Sequence, residues 1–363
     1  MIEQIKFHDF KRFRDQALDL GELNVLTGTN GSGKSTVLQA LNLMQRAARS
    51  DASIVRLVDS PGLELGSSSE LIHFDSTEST FCLDMRCDGS TYSYEFDCSE
   101  GPSSELPFVS VASRPARHPP FFDGSDLAYH YLGAERVGPR VSMPLSSAKP
   151  GTFEFGEDGR YVASVLATES RAEIPSGRRH GGAGEVTTLI AQTEAWLSEL
   201  LGPTQLQATR VPGLPSVALR IRRANSYGEW MLPTNTGFGI SYALPIIVAG
   251  LLTPPGGVLA VDSPEAHLHP AAQSAVGRFL AIVAADGVQV ILETHSDHVV
   301  NGIRRALVDG VGPRADNAVI WFLGDESPQR IRLSPNGNLD HWPKGFFDQI
   351  AYDLRAIKVR RAD

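Results

Sequence analysis

A short apolar stretch, Leu23 to Thr27, runs directly into Gly28-Thr29-Asn30-Gly31-Ser32-Gly33-Lys34-Ser35. The segment that follows places Val37, Leu38, Leu41 and Met44 on one helical face. Strand, glycine-rich loop and amphipathic helix in that order leave few folds open. Glycines let backbone N–H groups converge on phosphate oxygens, and the helix N-terminus adds a favourable dipole. Lys34 neutralises charge there, and the Ser35 hydroxyl is placed to hold magnesium. Asn30, Gly31, Ser32, Gly33, Lys34, Ser35 and Thr36 are therefore the predicted contacts for ATP with Mg2+. The helix needs a sheet under its apolar face, which makes the fold α/β.

Composition narrows the remaining choices. With 363 residues and 42% hydrophobic content, the chain has enough apolar material for one large or two modest domains. A formal charge of −9 argues against a protein that coats nucleic acid through its overall field, so any such contact must be local. Cys82, Cys87 and Cys98 fit neither a disulfide framework nor a paired zinc spacing, and are read as reduced packing residues. Glu3 and Lys6 precede any apolar run, so no signal peptide is expected. The longest apolar stretch, Ile240 to Leu252, is shorter than the roughly 18 residues of a spanning helix. No membrane association is expected, and the location is read as cytoplasmic.

Along the chain, Ile2 to Phe7 alternates like a strand, and short alternating runs from Arg56 to Phe108 predict an antiparallel β-lobe. Ser113 to Pro120 and Ser170 to Gly184 read as mobile loops, followed by a helix over Val186 to Leu201. From Gly237 onward helix and strand alternate. Val258 to Val261 and Val288 to Leu292 suit buried parallel strands, with Val276, Phe279, Leu280 and Val283 on the helical face between them. We divide a single unit, 1–363, into an N-terminal lobe (1–150), a helical and loop insertion (151–230) and a C-terminal lobe (231–363).

Phosphoryl transfer needs an acidic partner for magnesium at the end of a buried strand, and Asp262 closes Val258-Leu259-Ala260-Val261 in that way. Ser35 and Asp262 are thus the predicted metal residues. His295 ends the next buried strand, in Glu293-Thr294-His295-Ser296, and is predicted at the same sheet edge, where it can sense the γ-phosphate.

Further segments complete a pattern that spans nearly the whole chain. They are Phe7-His8-Asp9-Phe10-Lys11-Arg12-Phe13, the run Tyr131 to Arg140, Thr236-Gly237-Phe238-Gly239-Ile240-Ser241, Asp262 to Pro270, and Trp342 to Asp348. Together they resemble the ABC-type ATPases of the RecF, SMC and OLD group, and more narrowly the short AAA-family ATPases of bacterial defence loci. The resemblance implies a P-loop NTPase of ABC-head type, a mixed sheet flanked by helices, with an antiparallel β-lobe and a small helical insertion. It also implies a homodimer that sandwiches ATP, each P-loop facing Thr236 and Gly237 of the other copy. Lys11 or Arg12 would approach the phosphates, Glu265 to His269 would form the turn passed between subunits, and His295 would be the switch histidine.

The family often carries a catalytic glutamate directly after the Walker B aspartate, where this chain has Ser263. A carboxylate normally activates the attacking water, so either Glu265 takes that role or turnover is slow. No glutamine occupies the expected glutamine loop near Leu71 to Phe74. The chain is also expected to lack the acidic Toprim domain of OLD nucleases, which makes any nuclease a partner protein.

Two functions follow from the resemblance: an ATPase switch controlling a separate effector, or a RecF-like repair factor that binds DNA itself. The second would use local basic clusters at Arg171, Arg178 and Arg179, at Arg220, Arg222 and Arg223, and at Lys358, Arg360 and Arg361. From another class, His267, His269, His295 and His298 offer ligands for a metal hydrolase. The loop at Gly28 argues against that last reading, and the abbreviated signature segment Thr236-Gly237-Phe238-Gly239, with His267-Leu268-His269-Pro270, argues against a transporter subunit.

Overall fold

The structure, a computed structural model, describes residues 1–49, 53–58, 64–99, 107–122, 128–149, 151–223, 228–324 and 327–359. At its centre lies a six-stranded sheet in the order Gln329–Arg332, Ala318–Leu323, Leu23–Gly28, Gln289–Glu293, Val258–Asp262, Tyr129–Leu132. Every neighbouring pair runs parallel except the Gln329–Arg332 edge. Parallel strands require crossover connections: helix Pro270–Ala285 joins the neighbours Val258–Asp262 and Gln289–Glu293, and helix Asp297–Val308 leads from Gln289–Glu293 past Leu23–Gly28 to Ala318–Leu323.

Both faces of this sheet are covered, so its strands read as continuous apolar runs whose alternate residues enter two cores. Leu26, Val258, Ala260, Ile291 and Trp321 face the core built with the P-loop helix Lys34–Arg49. Val25, Leu259, Val261, Leu292 and Phe322 face the other, filled by helices Leu189–Leu201, Phe238–Leu252 and Pro270–Ala285. The apolar stretch from Ile240 is thus a buried helix, as its composition predicts. Among the described residues no helix is long and apolar enough to cross a membrane.

The β-lobe is a second six-stranded sheet, antiparallel throughout, formed by Phe13–Asp19, Ile2–Phe10, Thr80–Cys87, Ser90–Asp97, Phe108–Ser113 and Ile54–Arg56 in that order. It therefore takes in the N-terminal hairpin as well as the run after Arg56. Side chains join it to the central sheet: Gln289 Oε1 accepts from the Ile2 amide at 2.8 Å and its Nε2 donates to the Ile2 carbonyl at 2.7 Å, while Trp321 Nε1 donates to the Asp19 carbonyl at 2.9 Å. Cys82, Cys87 and Cys98 are free thiols here. Burial pushes each up to about 12, away from thiolate chemistry at neutral pH.

Residues 151–230 hold helices Val162–Glu169 and Leu189–Leu201 together with a hairpin, Gln205–Arg210 and Ser216–Arg222, that pairs with Met143–Pro144. The segment Ser170 to Gly184 departs from the mobile loop expected of it. Short 3-10 turns at Ser176–Arg178 and Gly181–Ala183 wrap around Arg178, which is only 1% exposed. Its Nε donates to Asp286 Oδ2 at 2.6 Å, and one terminal nitrogen donates to the Gly250 carbonyl at 3.0 Å, near the end of helix Phe238–Leu252. A guanidinium offers five donors in a fixed fork, which suits the unsatisfied carbonyls of a helix C-terminus. Arg178 is therefore structural and drops out of the first basic cluster, in which Arg171 is exposed and Arg179 pairs with Glu173. Arg222 lies over the Trp230 ring at 4.5 Å, while Arg360 and Arg361 fall outside the described residues.

Helices Pro270–Ala285 and Asp297–Val308 cross at two glycines. A Cβ on Gly302 would stand 1.9 Å from the Ser274 carbonyl oxygen, and one on Gly277 would stand 2.2 Å from that of Val299. In an exposed helix Gly→Ala gains about 1 kcal/mol. Overpacking costs about 1–3 kcal/mol, and where the obstacle is rigid backbone that penalty outweighs the gain in helix propensity. Gly302→Ala is therefore expected to lower stability in urea denaturation, and a raised midpoint would refute the packing argument.

Candidate nucleotide site

The P-loop strand ends at Gly28, whose φ is +147°. A Cβ at this position would lie 1.8 Å from the Leu323 carbonyl oxygen, so only glycine lets the chain turn beside the neighbouring strand. The loop then delivers Lys34 and Ser35 to the first turn of helix Lys34–Arg49. Lys34 Nζ donates back to the carbonyls of Gly28 at 3.2 Å and Thr29 at 2.7 Å. Burial lowers its pKa, and Glu293 and Asp262 work in the opposite direction. The Ser32 hydroxyl is buried without a partner among the described residues.

A cavity of about 620 Å³ opens over this loop, lined by Gly31 to Thr36 and by Lys11, Arg12, Glu70 and Phe74 among others. Arg12 donates to the Gly31 carbonyl at 3.1 Å and to that of Gly324 at 2.8 Å, stapling the loop to the adjacent strand end. Lys11 Nζ donates to Gln39 Oε1 at 2.8 Å on the P-loop helix. Both cations thus stand beside the P-loop. The segment at the expected glutamine loop sits here too: His73 Nδ1 lies 2.8 Å from the Lys11 carbonyl, and Phe74 is 83% exposed at the cavity wall. A larger cavity, about 800 Å³ and lined by Arg314, Arg330 and Arg332, lies by Ala318, at the strand end remote from Gly28.

Asp262 and Glu293 are register partners at the ends of adjacent parallel strands. Each follows by two residues a side chain, Ala260 or Ile291, that packs toward the P-loop helix. A period of two therefore projects both carboxylates onto the face where Ser35 lies. Ser35 Oγ donates to Glu293 Oε1 at 3.1 Å. Asp262 Oδ1 instead accepts from Ser263 Oγ at 2.8 Å. Burial and the neighbouring Asp262 push the Glu293 carboxyl up to about 7, against the pull of Ser35 and Lys34. Asp262 is also raised, chiefly by burial.

Ser263 adopts a left-handed turn with φ 47°. Arg136, 3% exposed, clamps that turn by donating to the carbonyls of Asp262 and Ser263. Two residues later Glu265 spends both carboxylate oxygens on the next strand end. Its Oε2 accepts from Thr294 Oγ1 and its Oε1 from the His295 amide, each at 2.7 Å. His295 keeps an exposed edge, and the partial desolvation of its ring lowers its pKa, with Lys34 acting in the same direction and Glu265 and Asp262 against it.

Thr236 and Gly237 lead into helix Phe238–Leu252, Gly237 as the residue before its first turn. Neither lines the P-loop cavity of the same chain. Phe238 packs on the His267 ring at 5.2 Å, and Tyr242 does so at 4.3 Å. His269 accepts from the Ala271 amide at 3.5 Å at the start of helix Pro270–Ala285. Both histidines thus have structural contacts. Among the described residues no three His, Cys, Asp or Glu side chains cluster as metal ligands.

Sequence reasoning assigned no role to Glu293, Arg136 or Phe74, although all three stand inside segments it singled out. The signal for Glu293 was the two-residue alternation that also positions Asp262. For Arg136 no local pattern announces a role, because its carbonyl partners lie more than a hundred residues away, and for Phe74 none does because its ring is largely exposed beside His73.

Comparison with known proteins agrees with this geometry. Residues 1–93 match the family described as AAA ATPase domain, and residues 148–301 match the AAA domain family described as putative AbiEii toxin, Type IV TA system. Residues 323–357 match a protein family of unknown function, DUF3696. An OLD nuclease of Thermus scotoductus (strain ATCC 700910 / SA-01) is 24% identical over 331 residues, covering 82% of this chain and 59% of that protein. The chain thus spans about three-fifths of the length of this relative. In fold, it is similar to the SmcHead bound to the C-winged helix domain of ScpA, with TM-score 0.50, 14% identity and coverage of 92% and 97% of the two chains. It is equally similar to the Smc head domain with an extended coiled coil bound to the C-terminal domain of ScpA derived from Pyrococcus furiosus, with TM-score 0.50, 12% identity and coverage of 98% and 99%. The P-loop and the register-paired acids thus stand in a fold similar to that of Smc heads, in a chain with two stretches that match AAA ATPase families and with sequence similarity to an OLD nuclease.

Proposed function

We propose that this protein binds ATP with magnesium, hydrolyses it slowly, and works as a dimeric, cytoplasmic switch that controls a separate effector nuclease in antiphage defence. The observation that carries the reading is the P-loop cradle itself. Lys34 occupies its own loop carbonyls and the Ser32 hydroxyl has no partner among the described residues, which suits a site completed by phosphate oxygens. Ser35 and Asp262 are the residues we assign to magnesium, which supplies charge neutralisation at the phosphates when bound. Lys11, Arg12 and Thr36 line the cavity, and Asn30 in the adjoining loop completes the assigned nucleotide site.

The dimer is supported by what the cavity leaves out. Thr236 and Gly237 stand at the start of a 15-residue helix, exposed or half-buried and apart from the cavity of their own chain. A second copy is the source we assign for them. The nuclease partner and the defence role are suggested by the relationship to an OLD nuclease and to a family described by a toxin–antitoxin system. Direct DNA clamping is the less favoured reading, because Arg178 is buried and paired with Asp286.

Slow turnover follows from Ser263 and from the bonds of Glu265. A serine is a poor general base, and Glu265 is held by Thr294 and the His295 amide, which fix where it can orient water. Glu265 thereby ties its own turn to the position of His295, so that hydrolysis waits on a rearrangement of both strand ends.

Lys34→Ala is expected to abolish ATP binding, and unchanged affinity in calorimetry would remove the site assignment. Glu265→Gln is expected to slow phosphate release more than Ser263→Ala. The reverse ranking in a phosphate-release assay would show that Glu265 is not the water-activating group.

A further inference from the structure

Of the two acids at the strand ends, Glu293 is the one that touches the P-loop. Its Oε1 stands 3.1 Å from Ser35 Oγ, whereas Asp262 is engaged by its own neighbour Ser263. Adjacent ligands of an octahedral magnesium, each about 2.1 Å from the ion, stand about 3 Å apart. The Ser35–Glu293 separation matches that edge. The side chain is 4% exposed, and its second oxygen, Oε2, is buried with no partner among the described residues. A buried carboxylate is costly unless a cation or donor meets it. Lys34, the neighbouring cation, directs its ammonium onto the carbonyls of Gly28 and Thr29.

We propose that Glu293 is a direct ligand of the magnesium ion in the nucleotide site, together with Ser35, so that two carboxylates, Glu293 and Asp262, serve the metal. This rests on the reading that the site takes ATP with magnesium. Magnesium sites built on phosphates commonly recruit one or two carboxylates from the protein, and the donor set here is all oxygen. Glu293 then has opposite effects on the two forms of the nucleotide. With the metal it adds an attraction. Without the metal it places a negative charge beside the phosphates and repels them.

Calorimetric ATP titrations of the full chain in magnesium and in EDTA separate these effects. For Glu293→Gln, which keeps size and shape, the affinity gained on adding magnesium is expected to shrink about tenfold or more. In EDTA its ATP affinity should equal or exceed that of the unaltered protein. Electron paramagnetic resonance of manganese, used in place of magnesium, should show the same loss of metal affinity in the ATP complex. A full magnesium gain in Glu293→Gln overturns the proposal while leaving ATP binding intact, as would befit a group acting only on water. Should that variant fail to fold, Glu293→Asp draws the carboxylate back by one methylene and is expected to lose the same gain; an undiminished gain again overturns the proposal. Failure of the unaltered protein to bind ATP under either condition would instead remove the nucleotide-site reading on which the proposal rests.

Discussion

The parallel pairing of Leu23–Gly28, Gln289–Glu293 and Val258–Asp262 is the constraint on which the site depends. Parallel strands end at one edge of the sheet, so the residues that close them, Gly28, Glu293 and Asp262, meet there although they lie far apart in sequence. A shift of one residue in either register would turn an acid toward the opposite core. The apolar alternation above each acid prevents that shift, because it would also exchange the side chains of two cores. Packing therefore sets the chemistry of the strand ends.

Around that edge the structure links its loops through single polar side chains. Arg136 holds the Ser263 turn, Glu265 joins it to Thr294 and His295, and Arg12 fastens the P-loop to Gly324. Each bond crosses between segments that would have to move relative to one another if nucleotide rearranged the site. Phe238 and Tyr242, at the start of the signature helix, pack on His267 just beyond the same turn. A displacement at Asp262 thus has a short mechanical route to Thr236 and Gly237, the residues we assign to the second copy's nucleotide. The coupling is built from hydrogen bonds and ring contacts, which have discrete alternative partners rather than a continuous range of strain.

Much of the fold was legible because its signals are local. The 3.6-residue spacing of Val37, Leu38, Leu41 and Met44, and the continuous apolar runs at Val258 and Val288, name helix and buried parallel strand on their own. The loop Ser170 to Gly184 was misread because glycine and arginine usually mark solvent. Arg178 is buried instead, since the carbonyls at the end of helix Phe238–Leu252 and the carboxylate of Asp286 supply partners from distant segments. The N-terminal hairpin joined the β-lobe for a similar reason: its edge needed a strand, and Thr80–Cys87 provides one more than sixty residues away.

The sequence by itself determined the phosphate loop, its strand and helix, and the acid and histidine that close two buried strands. Each of these depends on residue types at short, fixed spacings. Tertiary structure decided which acid touches Ser35, what Glu265 holds, and that Arg178 is interior. Those outcomes depend on strand register and on partners from distant segments, and no short spacing in the chain encodes them.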